Sequence, residues 1–306
     1  MRDLLLFMTL LLCASTADAA KIYKYLDENG NLAFSDRPLA NGQQLEVKTA
    51  EHIDYEVRFS VSDRGVETRR QLFGVNNYYG PVEVEIRVQK AVNMAASVPL
   101  PARFVVAGRS EQELMRVWPA NPLLSSSYSF QTLSVLGDPA ANHRPGNGYQ
   151  SPLPPGKPFL ITQAFHGTTS HQGPQNEYAI DIAVPIGTPV HAARGGIIMD
   201  VSNDFYDNGL SPEYAERANA IRILHDDGTM AVYAHLELES AQYPIGARVE
   251  TGTMIAHSGN TGYSTGPHLH FVIQQNIGFE LRSIPFSFYT ADNIRFTPQQ
   301  GDLLRR

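Results

Sequence analysis

Short runs of alternating apolar and polar residues fill most of the chain, separated by turn-forming residues. Val82, Val84, Ile86 and Val88 alternate with Glu83, Glu85 and Arg87. That period of two places one face of a strand in a core and the other in water. Pro99, Pro101, Pro119 and Pro122 punctuate the same region, so residues 55–140 read as a β-sandwich-like domain rather than helices. No cluster of titratable residues stands out there. Residues 20–54 read as a small β-hairpin domain, with two alternating runs flanking Glu28-Asn29-Gly30. The Pro- and Gly-rich stretch 141–156 reads as a linker. Residues 157–290 carry short apolar runs between Gly, Pro, Asn and Asp, with no repeat and no long amphipathic helix. Tyr206 to Ala218 is a polar insertion, predicted to be a loop or one short helix, and 291–306 is a tail. The chain is therefore expected to be mainly β, with a C-terminal β domain preceded by smaller ones.

The first nineteen residues change that picture. Arg2 precedes an apolar run from Leu4 to Leu12, and Ala17-Asp18-Ala19 has the small-x-small pattern of a signal-peptide cleavage site. The run is shorter than a bilayer requires, and no later segment approaches spanning length. Export is expected, with no stable membrane span. A retained anchor is the alternative; a lipid anchor at Cys13 is disfavoured by the bulky Leu12 before it. Cys13 is the one cysteine of the chain. Without it the mature chain has no disulfide, no cysteine nucleophile and no thiolate zinc site. Any metal must be held by carboxylates and by some of the ten histidines. The formal charge of -7 argues against nucleic acid as a partner, because phosphate neutralisation needs a basic face.

Three pieces of the C-terminal domain carry candidate chemistry. The first runs from His171 to Val190. On a strand beginning at Tyr178, Asp181 shares a face with Ala179 and Ala183, while Ile180, Ile182 and Val184 face the other way. Such an Asp fits a groove floor, or else an Asp satisfied by turn backbone. The second is Pro267-His268-Leu269-His270-Phe271, where two histidines at i and i+2 project to the same side of a strand, about 6–7 Å apart. One ring could sit on a metal and the other beside its water; two core histidines are the alternative. The third is Tyr233-Ala234-His235-Leu236-Glu237, with Tyr233, His235 and Glu237 expected on one face and Val232, Ala234 and Leu236 on the other. By itself it is a weak signal.

Together these pieces resemble the lysostaphin/LytM-type zinc metallopeptidases. The resemblance covers roughly residues 155 to 285. It rests on Asp181 followed by Pro185-Ile-Gly-Thr-Pro189, then Tyr233-Ala-His235-Leu236, then Gly259-Asn-Thr-Gly262 running into Ser264-Thr-Gly-Pro-His-Leu-His-Phe271. It implies an antiparallel β fold with a narrow groove, and a zinc endopeptidase acting on the stem or cross-link peptides of bacterial peptidoglycan. It makes His171, Asp181 and His270 the Zn2+ ligands, with His235 and His268 as catalytic histidines. Many members place the first histidine four residues before the Asp. Here the separation is ten, and His166 is the reserve candidate. The N-terminal hairpin resembles a small domain of unknown function found in Gram-negative envelope proteins. That places the exported chain in the periplasm or cell envelope, with room for a regulatory partner there.

Zinc with two neutral imidazoles and one carboxylate keeps an open coordination position. No His-Glu-x-x-His stretch exists, so a glutamate base of that type is absent and other groups must guide protons. Two further readings stand beside the enzyme. A non-catalytic module could bind wall or activate another hydrolase, although all five positions hold competent residues. An iron oxygenase shares the two-His-one-carboxylate formula, but Gln274 stands where its acidic residue is expected. His225-x-Asp227 imitates such a triad, yet Asp226-Asp-Gly reads better as a hairpin turn. His191 and His257 read as structural strand-end residues.

Overall fold

The computed structural model describes residues 20–26, 32–35, 43–50, 58–66, 68–146, 148–290 and 294–306. The predicted signal peptide (1–19) and the predicted turn at 28–30 lie outside the described residues. The chain divides into two units, Met1–Ile53 and Asp54–Arg306. In the first, β1 (Ala20–Leu26) pairs antiparallel with β2 (Leu32–Ser35) on one side and β3 (Gln43–Ala50) on the other.

The second unit opens with seven strands: β4 (Phe59–Val66), β5 (Arg69–Asn76), β6 (Val82–Val92), β7 (Met94–Ala96), β8 (Ala102–Val106), β9 (Ser110–Pro119) and β10 (Ser127–Leu136). They form two sheets, β4-β5-β9-β7 and β10-β6-β8, which share a core of Leu72, Val84, Ile86, Val106, Met115 and Val117. One expectation fails here. The alternation puts Glu83 and Glu85 on a solvated face of β6, yet they are buried, whereas Val88 is 37% exposed. The outer face of β6 is covered: Glu83 accepts hydrogen bonds from Asn276 Nδ2 and Phe279 N. Glu85 takes the guanidinium groups of Arg87 and Arg103, a titratable cluster that spans two strands and so escapes a linear reading.

The rest of the unit holds β11 (Phe159–Gln163), β12 (Ile180–Ala183), β13 (Pro189–His191), β14 (Gly196–Ser202), β15 (Asn208–Gly209), β16 (Ala220–Leu224), β17 (Met230–Ala234), β18 (Arg248–Val249), β19 (Met254–His257), β20 (Gly262–Tyr263), β21 (His268–Asn276), β22 (Leu281–Ser283), β23 (Phe288–Tyr289), β24 (Arg295–Phe296) and β25 (Leu303–Leu304). Nine of them form one antiparallel sheet in the order β18-β14-β16-β17-β21-β12-β11-β25, with β22 paired to β21. One face is a dry core of Ile180, Ile182, Ile221, Tyr233, Leu269 and Phe271, each at most 1% exposed. Side chains of this size contribute about 1.5–3 kcal/mol each when fully buried. The ring centroids of Phe271 and Phe286 lie 5.2 Å apart, edge to face. The opposite face, at the middle of the sheet, is left to polar residues. The insertion at 206–218 contains β15, paired with β20, and a single 3-10 turn, Pro212–Tyr214.

Candidate metal centre and its cleft

Strand register brings the candidate residues together. Asp181 pairs with His270 and Ala183 with His268 across β12 and β21; on the far side His270 pairs with Ala234 of β17. Directly opposed residues share a face, so Asp181, His268, His270 and Ala234 all look away from the core. Leu269, Phe271 and Ile273, the residues between and beyond the histidines, are fully buried beneath them.

The third piece departs from expectation. Tyr233 is wholly buried, its hydroxyl accepting from Ala193 N at 2.7 Å, while Val232 and Ala234 line the cleft. Alternation from Tyr233 would send His235 into the core. Instead β17 ends at Ala234, and His235 takes φ +61°. That left-handed conformation is uncommon for a side chain this large and is tolerated where surrounding structure over-determines it. It turns the ring onto the polar face. Thr261 O holds Nδ1 there at 2.6 Å.

His171 comes from the loop before β12 and is buried. Its Nδ1 lies 2.9 Å from Ala164 O. A carbonyl only accepts, so Nδ1 carries the proton and Nε2 presents a bare lone pair. That Nε2 is buried without a hydrogen-bond partner, 3.1 Å from Asp181 Oδ1. His270 Nδ1 lies 2.9 Å from the same oxygen. Ligand-capable atoms of His171, Asp181 and His270 all fall within 4.8 Å of one another. An orphaned buried lone pair, a second imidazole and a carboxylate converging on one point fit a divalent cation of the zinc class.

Burial opposes a charge on Asp181, but the imidazoles of His171 and His270 drawn against it prevail and hold its carboxyl far below the usual range. His235 is pushed down to about 3, first by burial and then by repulsion from His268 and His270. His268 is lowered as well, chiefly by burial. Both are therefore neutral at pH 7. His268 Nδ1 lies 2.8 Å from Gly266 O, so its Nε2 is also a free acceptor, 3.7 Å from Asp181 Oδ1. The rings of His235 and His268 are 4.4 Å apart, centroid to centroid.

Asp181, His235, His268 and His270 line a cleft of about 630 Å³, walled also by Thr162, Asn176, Tyr263, Gln274 and, from the insertion, Ala215. The remaining candidates lie elsewhere. His166 stands outside the cluster, exposed, with Nδ1 3.3 Å from Glu177 Oε1. His225 is buried at the end of β16 beside the turn Asp226-Asp227-Gly228, its Nδ1 donating to Gly195 O. His191 and His257 end β13 and β19. Sequence reading missed Gln163, whose Nε2 donates to Asp181 Oδ2 at 2.9 Å. A polar residue closing the alternating run Phe159-Leu-Ile-Thr-Gln163 was its sole signal.

The geometry thus defines a two-histidine, one-carboxylate centre with two free imidazoles beside it, on the open face of an antiparallel sheet. Residues 175–279 match the model of Peptidase family M23. His171 stands just upstream of the matched segment; the other four lie within it. Residues 9–53 match a domain of unknown function, DUF4124. The glycyl-glycine endopeptidase ALE-1 of Staphylococcus capitis is 35% identical over 96 residues, 31% of this chain and 24% of that protein. The peptidoglycan DD-endopeptidase ShyA of Vibrio cholerae is 35% identical over 107 residues, 35% of this chain and 22% of that protein. Among solved structures, the catalytic domain of lysostaphin from Staphylococcus simulans is 30% identical, over 39% of this chain and 80% of that one, with a TM-score of 0.28. The chain thus spans about a quarter or less of the length of these curated relatives.

Proposed function

We propose that this chain is an exported zinc-dependent endopeptidase that hydrolyses peptide cross-links of bacterial peptidoglycan. The observation that carries the reading is the convergence of five side chains from four separate segments, Asp181, His235, His268 and His270 lining one cleft and His171 buried against Asp181 beside it. His171, Asp181 and His270 would hold the zinc. When bound, zinc supplies Lewis acidity toward a carbonyl oxygen and makes water a stronger acid. The names of the relatives, wall endopeptidases among them, support peptidoglycan as substrate.

The protein's own part is to orient and to move protons. His235 and His268 are neutral, and each presents a bare Nε2 to the cleft, so either can take the proton of an attacking water. The imidazolium so formed can donate to the developing oxyanion or to the leaving nitrogen. A C–O bond forms as C–N breaks, and the proton lost by water ends on the released amine. Thr261 O and Gly266 O hold the two rings in the required tautomer without occupying Nε2.

The test is turnover of purified cross-linked muropeptides by the full mature chain, with zinc content measured on the same sample. Turnover that needs zinc is expected. A zinc-loaded chain inert on every cross-link tried would leave a wall-binding module instead.

A further inference from the structure

We propose that Gln163 is a positioning residue that locks Asp181 and the His171 loop into one metal-binding geometry. The inference deepens the metal-site reading and rests on it. Three independent features converge on this side chain. The first is a bulge. In the β11–β12 pair Ile161 opposes Ile182, but Gln163, not Thr162, opposes Asp181. The extra residue breaks the alternation and swings Gln163 from the core face of Ile161 to the face of Asp181, which is how bulges re-aim side chains.

The second feature is the hydrogen-bond set. Gln163 Nε2 donates to Asp181 Oδ2 at 2.9 Å and to Ser170 Oγ at 2.7 Å. Its Oε1 accepts from Thr169 N at 3.0 Å. Oδ2 of Asp181 is thereby engaged, leaving Oδ1 to face His171 and His270. The same amide anchors Thr169 and Ser170, the two residues immediately before His171. One side chain thus couples the carboxylate ligand to the loop that carries the first imidazole. That loop, residues 164–179 between β11 and β12, contains no strand of its own.

The third feature is Gly167. A Cβ there would stand 2.3 Å from Gln163 Cγ and 2.6 Å from its Cδ. The loop closes over Gln163 without room for a methyl group. Because the obstructed atoms belong to a flexible side chain, Gly167→Ala can be accommodated by displacing Gln163.

The experiment measures zinc dissociation constants by chelator competition, with the thermal stability of each metal-free protein alongside. Gln163→Ala is expected to weaken zinc by about 10–100-fold, the usual effect of removing a partner that orients a metal ligand, with little change in metal-free stability. Gln163→Glu keeps the shape and the acceptor for Thr169 but lacks the donor, and should lose about as much. Gly167→Ala should weaken zinc in the wild-type background but not in Gln163→Ala, where nothing remains to displace; that non-additivity identifies Gln163 as the intermediary. Wild-type affinity in Gln163→Ala or in Gln163→Glu overturns the proposal. So does a Gly167→Ala effect that persists unchanged without Gln163, or losses that track metal-free stability. A wild-type chain that binds no zinc sinks the metal site itself, and the two failures are told apart by the wild-type measurement.

Discussion

At the scale of single residues, the site depends on which nitrogen of each imidazole is committed to a carbonyl. Ala164 O, Thr261 O and Gly266 O each engage Nδ1 of a different histidine, leaving Nε2 free. The resulting division of labour is testable. Alanine at His171, Asp181 or His270 should abolish stoichiometric zinc, whereas His166→Ala should retain it, because His166 faces Glu177 instead of the cluster. Zinc analysis of the four proteins decides it: full zinc in His171→Ala with loss in His166→Ala would reverse the assignment. His235→Ala and His268→Ala should keep zinc yet lose at least two orders of magnitude in turnover, since a group stabilising developing charge is worth about 3–4 kcal/mol of barrier. Variants as active as wild type would remove both from catalysis. Apart from His171, with its unusual spacing, the positions Asp181, His235, His268 and His270 announce themselves through their motifs. Gln163 does not, because its approach to Asp181 is created by a bulge that residue order does not encode visibly.

At the scale of elements, β16 and β17 meet at Asp226-Asp227-Gly228, where Gly228 takes φ +82° and Asp227 Oδ1 accepts from Thr229 N and Oγ1. His225 closes this hairpin from inside, and burial pushes it down to about 4 from an ordinary 6.5. Between those values the unfolded chain binds a proton that the folded chain refuses. Stability therefore rises with pH across that window and falls on acidification from about 6.5 toward 4. The difference corresponds to about 3 kcal/mol. Urea midpoints at pH 7.5 and 4.5 should converge in His225→Gln relative to wild type; parallel midpoints would refute the assignment. The turn residues Asp226-Asp-Gly foretold the hairpin, and the i, i+2 spacing foretold that His268 and His270 share a face. Alternation misplaced Tyr233 and His235, because it holds only while the strand lasts and β17 stops one residue short of His235.

At the scale of the whole molecule, the sandwich strands and the nine-stranded sheet of the second unit are joined by buried polar contacts. Glu83, 4% exposed, accepts from Asn276 Nδ2 at 2.9 Å and Phe279 N at 2.7 Å. Glu83→Ala would strand Phe279 N and leave Asn276 Nδ2 with only Gly137 O, and a loss of about 2 kcal/mol is expected by urea denaturation, with zinc affinity retained because the contact lies at the far end of β21. No measurable loss would show that water replaces the carboxylate. Export, which we propose from the apolar run ahead of Ala17-Asp18-Ala19, predicts a mature chain beginning near Ala20. N-terminal sequencing of envelope-located protein that returns Met1 would contradict it.

The order of residues by itself determined the mainly β character, the alternation that buries Ile180, Ile182, Leu269 and Phe271, and the set of residue types able to hold a metal once cysteine is excluded. Those follow from local physics: side-chain period, turn chemistry and the donor atoms each residue owns. Only the tertiary structure decided which of them meet. Asp181 and His270 lie 89 residues apart along the chain and are set opposite one another by strand register, while His171 and His235 reach them from segments outside the strands. The left-handed backbone at His235, the bulge before Gln163 and the cover over Glu83 break the local period. Each is held by contacts with residues distant in sequence, and such contacts exist only after the chain has folded.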